Sequence, residues 1–188
     1  MAGNSPRRYL VYQTCLLQHK KKKHRVEVVE FWIEVARECV NIGNFNSMMG
    51  IITGLNMFPV ARLKKTWTKI QKCGKFAALE HQMDPSCNFR SYRSTFNAAI
   101  SRSEAATDDR QRVTIPFFSL FVKDIYFAKE NARLDLDGHA LDLDKAGSIA
   151  AKVKEFCKWK DAPNCPYEKN SAIEKFLRKS PLWSNDGE

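Results

Sequence analysis

Residues 31–67 read FWIEVARECVNIGNFNSMMGIITGLNMFPVARLKKTW, and three short helical patterns joined by tight breaks account for the stretch. The first begins upstream at Val26 and runs to Ile42. Val28, Trp32, Val35, Cys39 and Ile42 form one apolar row and Val29, Ile33, Ala36 and Val40 the next, with Glu27, Glu30, Glu34, Glu38 and Asn41 opposite. Gly43 is placed to end this helix in the left-handed conformation. Asn44 or Asn46 then caps a second helix through its side-chain oxygen. That helix carries Met48, Met49, Ile51, Ile52 and Leu55 and stops near Asn56. Pro59 suits the first turn of a third helix, with Val60, Leu63, Trp67 and Ile70 on its buried side.

Outward from this core the pattern stays helical. A short helix is predicted over Phe76–Met83, ended by the Asp84-Pro85 turn. A longer one spans Asn88–Ile100, with Phe89, Tyr92, Phe96, Ala99 and Ile100 facing inward. Ser101–Arg112 is polar and reads as a loop. Phe117–Glu130 is the most apolar helix, with Phe117, Phe118, Phe121 and Ile125 predicted to be buried. Leu141–Lys160 is long and amphipathic, with Leu143, Ile149, Val153, Phe156 and Trp159 as its apolar residues. The Asp-rich Asn131–Ala140 joins these two into a helical hairpin over about 117–160. A last helix falls near Ser171–Lys179. With no repeats and no strand patterns, the predicted fold class is all-α: an irregular helical domain with a protruding hairpin. Residues 1–18 are assigned to a flexible N-terminal segment and 19–188 to the domain.

The chain has 188 residues, enough for one domain with a sizeable core. A hydrophobic fraction of 44% excludes wholesale disorder. Thirty-one Lys and Arg against 21 Asp and Glu give a net charge of +10, which suits an acidic partner without choosing among nucleic acid, anionic lipid and acidic protein. The run His19–Arg25 (HKKKKHR) reads as a solvated helix entry or loop, ahead of a nuclear signal or a lipid contact. Six cysteines form no C-x-x-C pair and no zinc spacing, so they are expected as reduced thiols of a cytoplasmic protein, Cys39 and Cys157 beside apolar stripes. The apolar stretch Tyr9–Leu17 is broken by Gln13 and lacks a signal-peptide cleavage site, and no apolar run is long enough to span a bilayer.

Several chemistries fail on spacing. No phosphate-binding G-x-x-x-x-G-K-[ST] loop or G-x-G-x-x-G is present, and the four histidines make no H-E-x-x-H. Asp135-Leu-Asp137-Gly138 hints at a calcium loop, but the first ligand would then be Arg133, a cation, so an Asp-Gly turn is the simpler account. No metal and no cofactor are expected. The basic connector Arg62, Lys64, Lys65, Lys69, Lys72 and Lys75 invites comparison with a nucleic-acid patch. Trp67, interleaved with it, falls on the apolar stripe and reads as core, so no nucleic acid is expected.

Two blocks carry a family resemblance. NFNSMMGIITGLNMFPVARLKKTW, residues 44–67, and IPFFSLFVKDIYFAKE, residues 115–130, resemble the catalytic domain of Ras-family guanine-nucleotide exchange factors. The resemblance implies a regulator that performs no bond chemistry and promotes GDP release from a Ras- or Rap-like small GTPase. Tyr126 and Glu130 share one helix face at a spacing of four. By resemblance they form the catalytic wedge, Tyr126 crowding the magnesium site of the GTPase and Glu130 engaging the lysine of its phosphate loop. By the same resemblance Asn56, Phe58, Ala61, Asn88, Phe89 and Ser148 meet the GTPase. Where relatives carry Ser before Pro59, this chain has Phe58, and Ala61 replaces what is often a larger side chain.

The resemblance also implies a domain longer than this chain, which is therefore expected to be a shortened one exposing apolar surface. An anionic membrane surface is a second partner suited to the basic patches, with recruitment to the inner face of membranes. Two other readings stand beside this one: a GTPase-binding remnant without exchange activity, and a basic helical nucleic-acid binder.

Overall fold

The computed structural model describes residues 6–70, 74–133, 143–160 and 166–180. Ten helices follow one another among these residues, with no strand: α1 Pro6–Leu17, α2 Lys22–Asn41, α3 Phe45–Asn56, α4 Phe58–Ala61, α5 Lys64–Ile70, α6 Lys75–His81, α7 Ser86–Ala105, α8 Phe118–Arg133, α9 Leu143–Lys160 and α10 Ser171–Lys179. The all-α expectation holds. The loop expected over Ser101–Arg112 needs correction: Ser101–Ala105 continue α7, and Asp109–Arg112 form a 3-10 turn capped by Asp108.

The core is built around α3. Phe45, Met48, Met49, Ile51, Ile52 and Leu55 are all buried, so this helix is apolar on nearly every side and must be surrounded. It packs against α1, α2 and α4. Gly43 adopts φ +78° and ends α2, and Asn44 caps α3 by accepting the Ser47 N–H at 3.0 Å. Asn46 does not cap α3; its Oδ1 lies 3.5 Å from the Phe118 N–H.

The third predicted helix is two. After Pro59 the chain breaks at Arg62-Leu63 and restarts as α5, and the Trp67 indole donates to the Val60 carbonyl at 3.0 Å, satisfying a group the break leaves over. Val60, Trp67 and Ile70 are buried as predicted, and Leu63 is half-buried. Trp67 is therefore core, with its ring 4.7 Å from that of Phe76.

The N-terminal assignment needs correction. Residues 1–18 were assigned to a flexible segment, but Pro6–Leu17 form α1, and Val11, Tyr12 and Leu16 are buried. Gln13 breaks the apolar pattern yet is itself 2% exposed, and the Thr14 hydroxyl returns to the Leu10 carbonyl at 2.7 Å. Polar residues folded into a buried face hid the helix from a reading by periodicity. Tyr12 meets Trp32 of α2 edge to face at 4.6 Å.

The basic run reads as expected. Lys20–His24 are exposed at the start of α2, and Arg25 turns back to donate to the carbonyls of His19 and Lys20. Cys39 is half-buried, and burial pushes its thiol pKa up to about 11; Cys157, in contrast, is exposed.

Candidate functional site

The two hairpin helices pack through aromatic rings. Phe121 of α8 stacks on Phe156 of α9 at 6.1 Å and 14°, and meets Trp159 edge to face at 4.9 Å. Trp159 in turn lies 5.9 Å from Phe96 of α7, which joins the hairpin to the core. Leu120 and Phe121 of α8 are buried. Phe118, predicted to be buried, is 37% exposed, and Phe117 and Ile125 are half-buried. On α9, Val153 is exposed, whereas Phe156 and Trp159 are half-buried against Phe121. The tip, residues 134–142, with the Asp135-Asp137-Gly138 turn, lies outside the described residues.

What this packing leaves outward is the opposite side of α8. Val122, Tyr126 and Phe127 are 49, 57 and 51% exposed. Glu130 follows Tyr126 by one turn and is half-buried, so the pair predicted from sequence does share one side of the helix. An apolar row ending next to a carboxylate, on a helix held from behind by aromatic stacking, is suited to pressing a charged group against a partner.

The other predicted contact residues occupy three places: the α3–α4 groove, the start of α7, and α9. Asn56 and Ala61 line one open groove of about 480 Å³ with Lys64, Trp67, Phe76 and Glu80. Phe58, 77% exposed, stands at the start of α4 with the Arg62 guanidinium 6.0 Å above its ring. The N-cap of α4 is Met57, with no side-chain cap bond, and Phe58 is the first residue of the helix.

Asn88 and Phe89 are not the interior of a helix. Cys87, Asn88 and Phe89 hold φ values of 51°, 57° and 59°, a left-handed turn ahead of the regular part of α7. Each such residue costs roughly 1–2 kcal/mol, least where Asn can bond locally. Asn88 is exposed and Phe89 half-buried, and Lys123 of α8 bridges the Phe89 and Phe127 rings at 5.8 and 5.7 Å. The structure thus brings Phe89 to the side of α8 that carries Tyr126. Ser148 is exposed on α9, a different helix from those that carry the other predicted residues.

Sequence reasoning missed the residues behind this arrangement. Arg93 pairs with Asp124 through two bonds of 2.7 and 2.8 Å, and the pairing raises the arginine pKa above its usual value, chiefly through the hydrogen bond to Asp124. The Tyr92 hydroxyl accepts the Phe117 N–H at 2.8 Å, and burial pushes the phenol pKa up to about 12. Asp124, a carboxylate on a helix read as apolar, was the available signal for the acid, though not for its partner.

Ser91 Oγ and His81 Nε2 meet at 2.8 Å on the surface, but the nearby Asp84 carboxylate accepts the Ser86 N–H. Among the described residues, no group of three or more His, Cys, Asp and Glu can hold a metal, and no helix is long and apolar enough to cross a membrane.

Comparison with known proteins defines the class. The family model of the RasGEF domain matches residues 7–146, and this chain belongs to that family. It is 51% identical over 166 residues to Ras-GEF domain-containing family member 1B-A of Danio rerio, covering 88% of this chain and 32% of that protein. It is 49% identical over 179 residues to Ras-GEF domain-containing family member 1C of Mus musculus, covering 95% and 38%. It is also 49% identical over 166 residues to family member 1B of Homo sapiens, covering 88% and 35%. The chain thus spans about a third of the length of these relatives.

Proposed function

We propose that this chain promotes GDP release from a Ras- or Rap-like small GTPase, with the hairpin helix α8 as the element that opens the nucleotide site. The observation that carries the reading is the bare row Val122, Tyr126 and Phe127 with Glu130 beside it, in a chain of the RasGEF domain family. The carboxylate of Glu130 has the charge and acceptor oxygens to compete with nucleotide phosphates for a lysine. Tyr126 supplies bulk where the GTPase holds its metal. Asn56, Phe58, Ala61, Asn88, Phe89 and Ser148 grip the rest of the switch surface.

No bond is made or broken by this chain. It binds the nucleotide-free GTPase more tightly than the loaded one, and by linkage it weakens nucleotide affinity by the same factor. Nucleotide concentrations, not the exchange factor, set the direction. The protein acts in the cytoplasm, and its +10 charge favours work at an anionic inner membrane surface, where each basic residue contributes about 1 kcal/mol.

The test is release of a fluorescent GDP analogue from Ras, Rap and Ral proteins, with and without the folded chain. Acceleration on at least one of them, slowed by Glu130→Ala, is expected; no acceleration on any removes the reading. A binding module without exchange is the second reading, favoured by the half-buried position of Glu130. Co-precipitation of a GTPase without accelerated release would select it.

A further inference from the structure

Arg93 of α7 reaches in two directions with one planar group. Its Nη1 and Nη2 donate to Asp124 Oδ2 and Oδ1 of α8 at 2.8 and 2.7 Å. Its Nε donates to the Asn88 carbonyl at 2.8 Å, and Nη2 also lies 3.3 Å from Asn88 Oδ1. The guanidinium therefore fastens the left-handed turn to the hairpin helix through a rigid fork that lysine cannot reproduce. The Arg93 and Asp124 side chains are 32 and 18% exposed, so the pair is partly withdrawn from water, where charge-assisted bonds count for more.

The neighbouring residue supplies a second fixed point. Tyr92 accepts the N–H of Phe117, at the threshold of α8, while Arg93 holds Asp124 seven residues later. Seven residues are two turns, roughly 10 Å along the axis. One anchor lets a helix swing; two anchors on adjacent residues of α7 define its direction. Tyr126 and Glu130 lie beyond the second anchor on the same helix.

We infer that Arg93 is a positioning residue, which through Asp124 and Asn88 locks the angle at which α8 projects and holds the Asn88–Phe89 turn in register with it. The functional consequence rests on the exchange-factor reading; the positioning does not. A pair that merely adds stability would lower the melting temperature and leave both the local motion of α8 and the balance of kcat against KM as they were.

The experiment uses the full chain with Arg93→Lys, which keeps the charge and loses the fork, and Asp124→Asn, which keeps the shape and loses the charge. Backbone hydrogen exchange is followed across α8 and, as a control, across α2 and α3. Nucleotide release is measured as separate kcat and KM. In both variants exchange in α8 after Asp124 is expected to speed by about tenfold or more with α2 and α3 unchanged, and kcat to fall by about tenfold with KM altered less, as for an interaction that matters in the opened state. Unchanged exchange in α8, or an equal loss of protection in all three helices, overturns the positioning. Faster α8 exchange with kcat untouched overturns its role in release. If the wild-type chain releases no nucleotide, the exchange-factor reading falls, and the hydrogen-exchange arm still decides the positioning.

Discussion

Gly43 and Val113 meet backbone to backbone: a Cβ built on Gly43 would lie 2.2 Å from the Val113 carbonyl oxygen. The approach is part of a short splice between the α2–α3 turn and the segment leading into α8. Ile115 donates its N–H to the Gly43 carbonyl at 2.8 Å, and Phe45 donates to the Ile115 carbonyl at 2.9 Å. The glycine serves two ends, a left-handed φ of +78° and room for the other chain. Gly43→Ala is expected to destabilise the protein by about 3 kcal/mol or more, combining left-handed strain with a clash against backbone that cannot turn aside. Urea denaturation measures it; a loss under 1 kcal/mol would mean that the splice yields easily.

Gly147 presents the opposite case. It lies in α9, exposed, and a Cβ there meets nothing within 4 Å. Gly147→Ala is expected to stabilise the chain by about 0.5–1 kcal/mol through helix propensity alone. A higher denaturation midpoint with an unchanged slope is the expected result, and a destabilised variant would show that α9 bends at this residue.

The contrast between the two glycines marks what the sequence could reveal. Periodicity located α2 and α3, and with them Gly43, because burial on one face leaves its mark on residue type. The clash with Val113 was not legible, since nothing local says which distant segment passes by. Spacing and resemblance single out Tyr126 and Glu130, and the structure adds only that Tyr126 is exposed on α8 and Glu130 half-buried. Phe118 was misplaced because an apolar residue on an exposed face looks like core until its neighbours are known. Arg93 was invisible for the same reason, as its meaning depends on an acid 31 residues away. The left-handed Cys87–Phe89 turn could not be read either, because only Asn88 among its residues favours that conformation.

Tyr92 predicts an alkaline limit to stability. Its folded pKa is raised from 10 to about 12, mainly by burial, so the neutral phenol is favoured in the folded state. The associated stability is fully present below pH 10 and is lost as pH rises through about 12. Two pKa units correspond to at most roughly 2.7 kcal/mol. Tyr92→Phe is expected to cost about 1 kcal/mol at neutral pH, since the Phe117 N–H loses its acceptor, and to flatten the decline between pH 10 and 12. Denaturation midpoints of both proteins across that range give the difference; parallel curves would assign the decline to other groups.

Phe58 and Tyr126 separate gripping from opening. Both rings are more than half exposed, at 77 and 57%, and truncating either removes little packing, so each alanine variant is expected to lie within about 0.5 kcal/mol of wild-type stability. Phe58 stands beside the groove and Tyr126 on the helix assigned to prise the nucleotide site open. Phe58→Ala is therefore expected to weaken GTPase binding by about tenfold and raise KM, as an aromatic anchor at an interface does. Tyr126→Ala is expected to lower kcat by a comparable factor with a smaller change in KM, since its bulk acts only once the site opens. Steady-state release kinetics with direct binding by surface plasmon resonance distinguish the two. If both substitutions leave binding and release at wild-type values, the partner docks on another face, and the exposed rows of α4 and α8 serve something other than a GTPase.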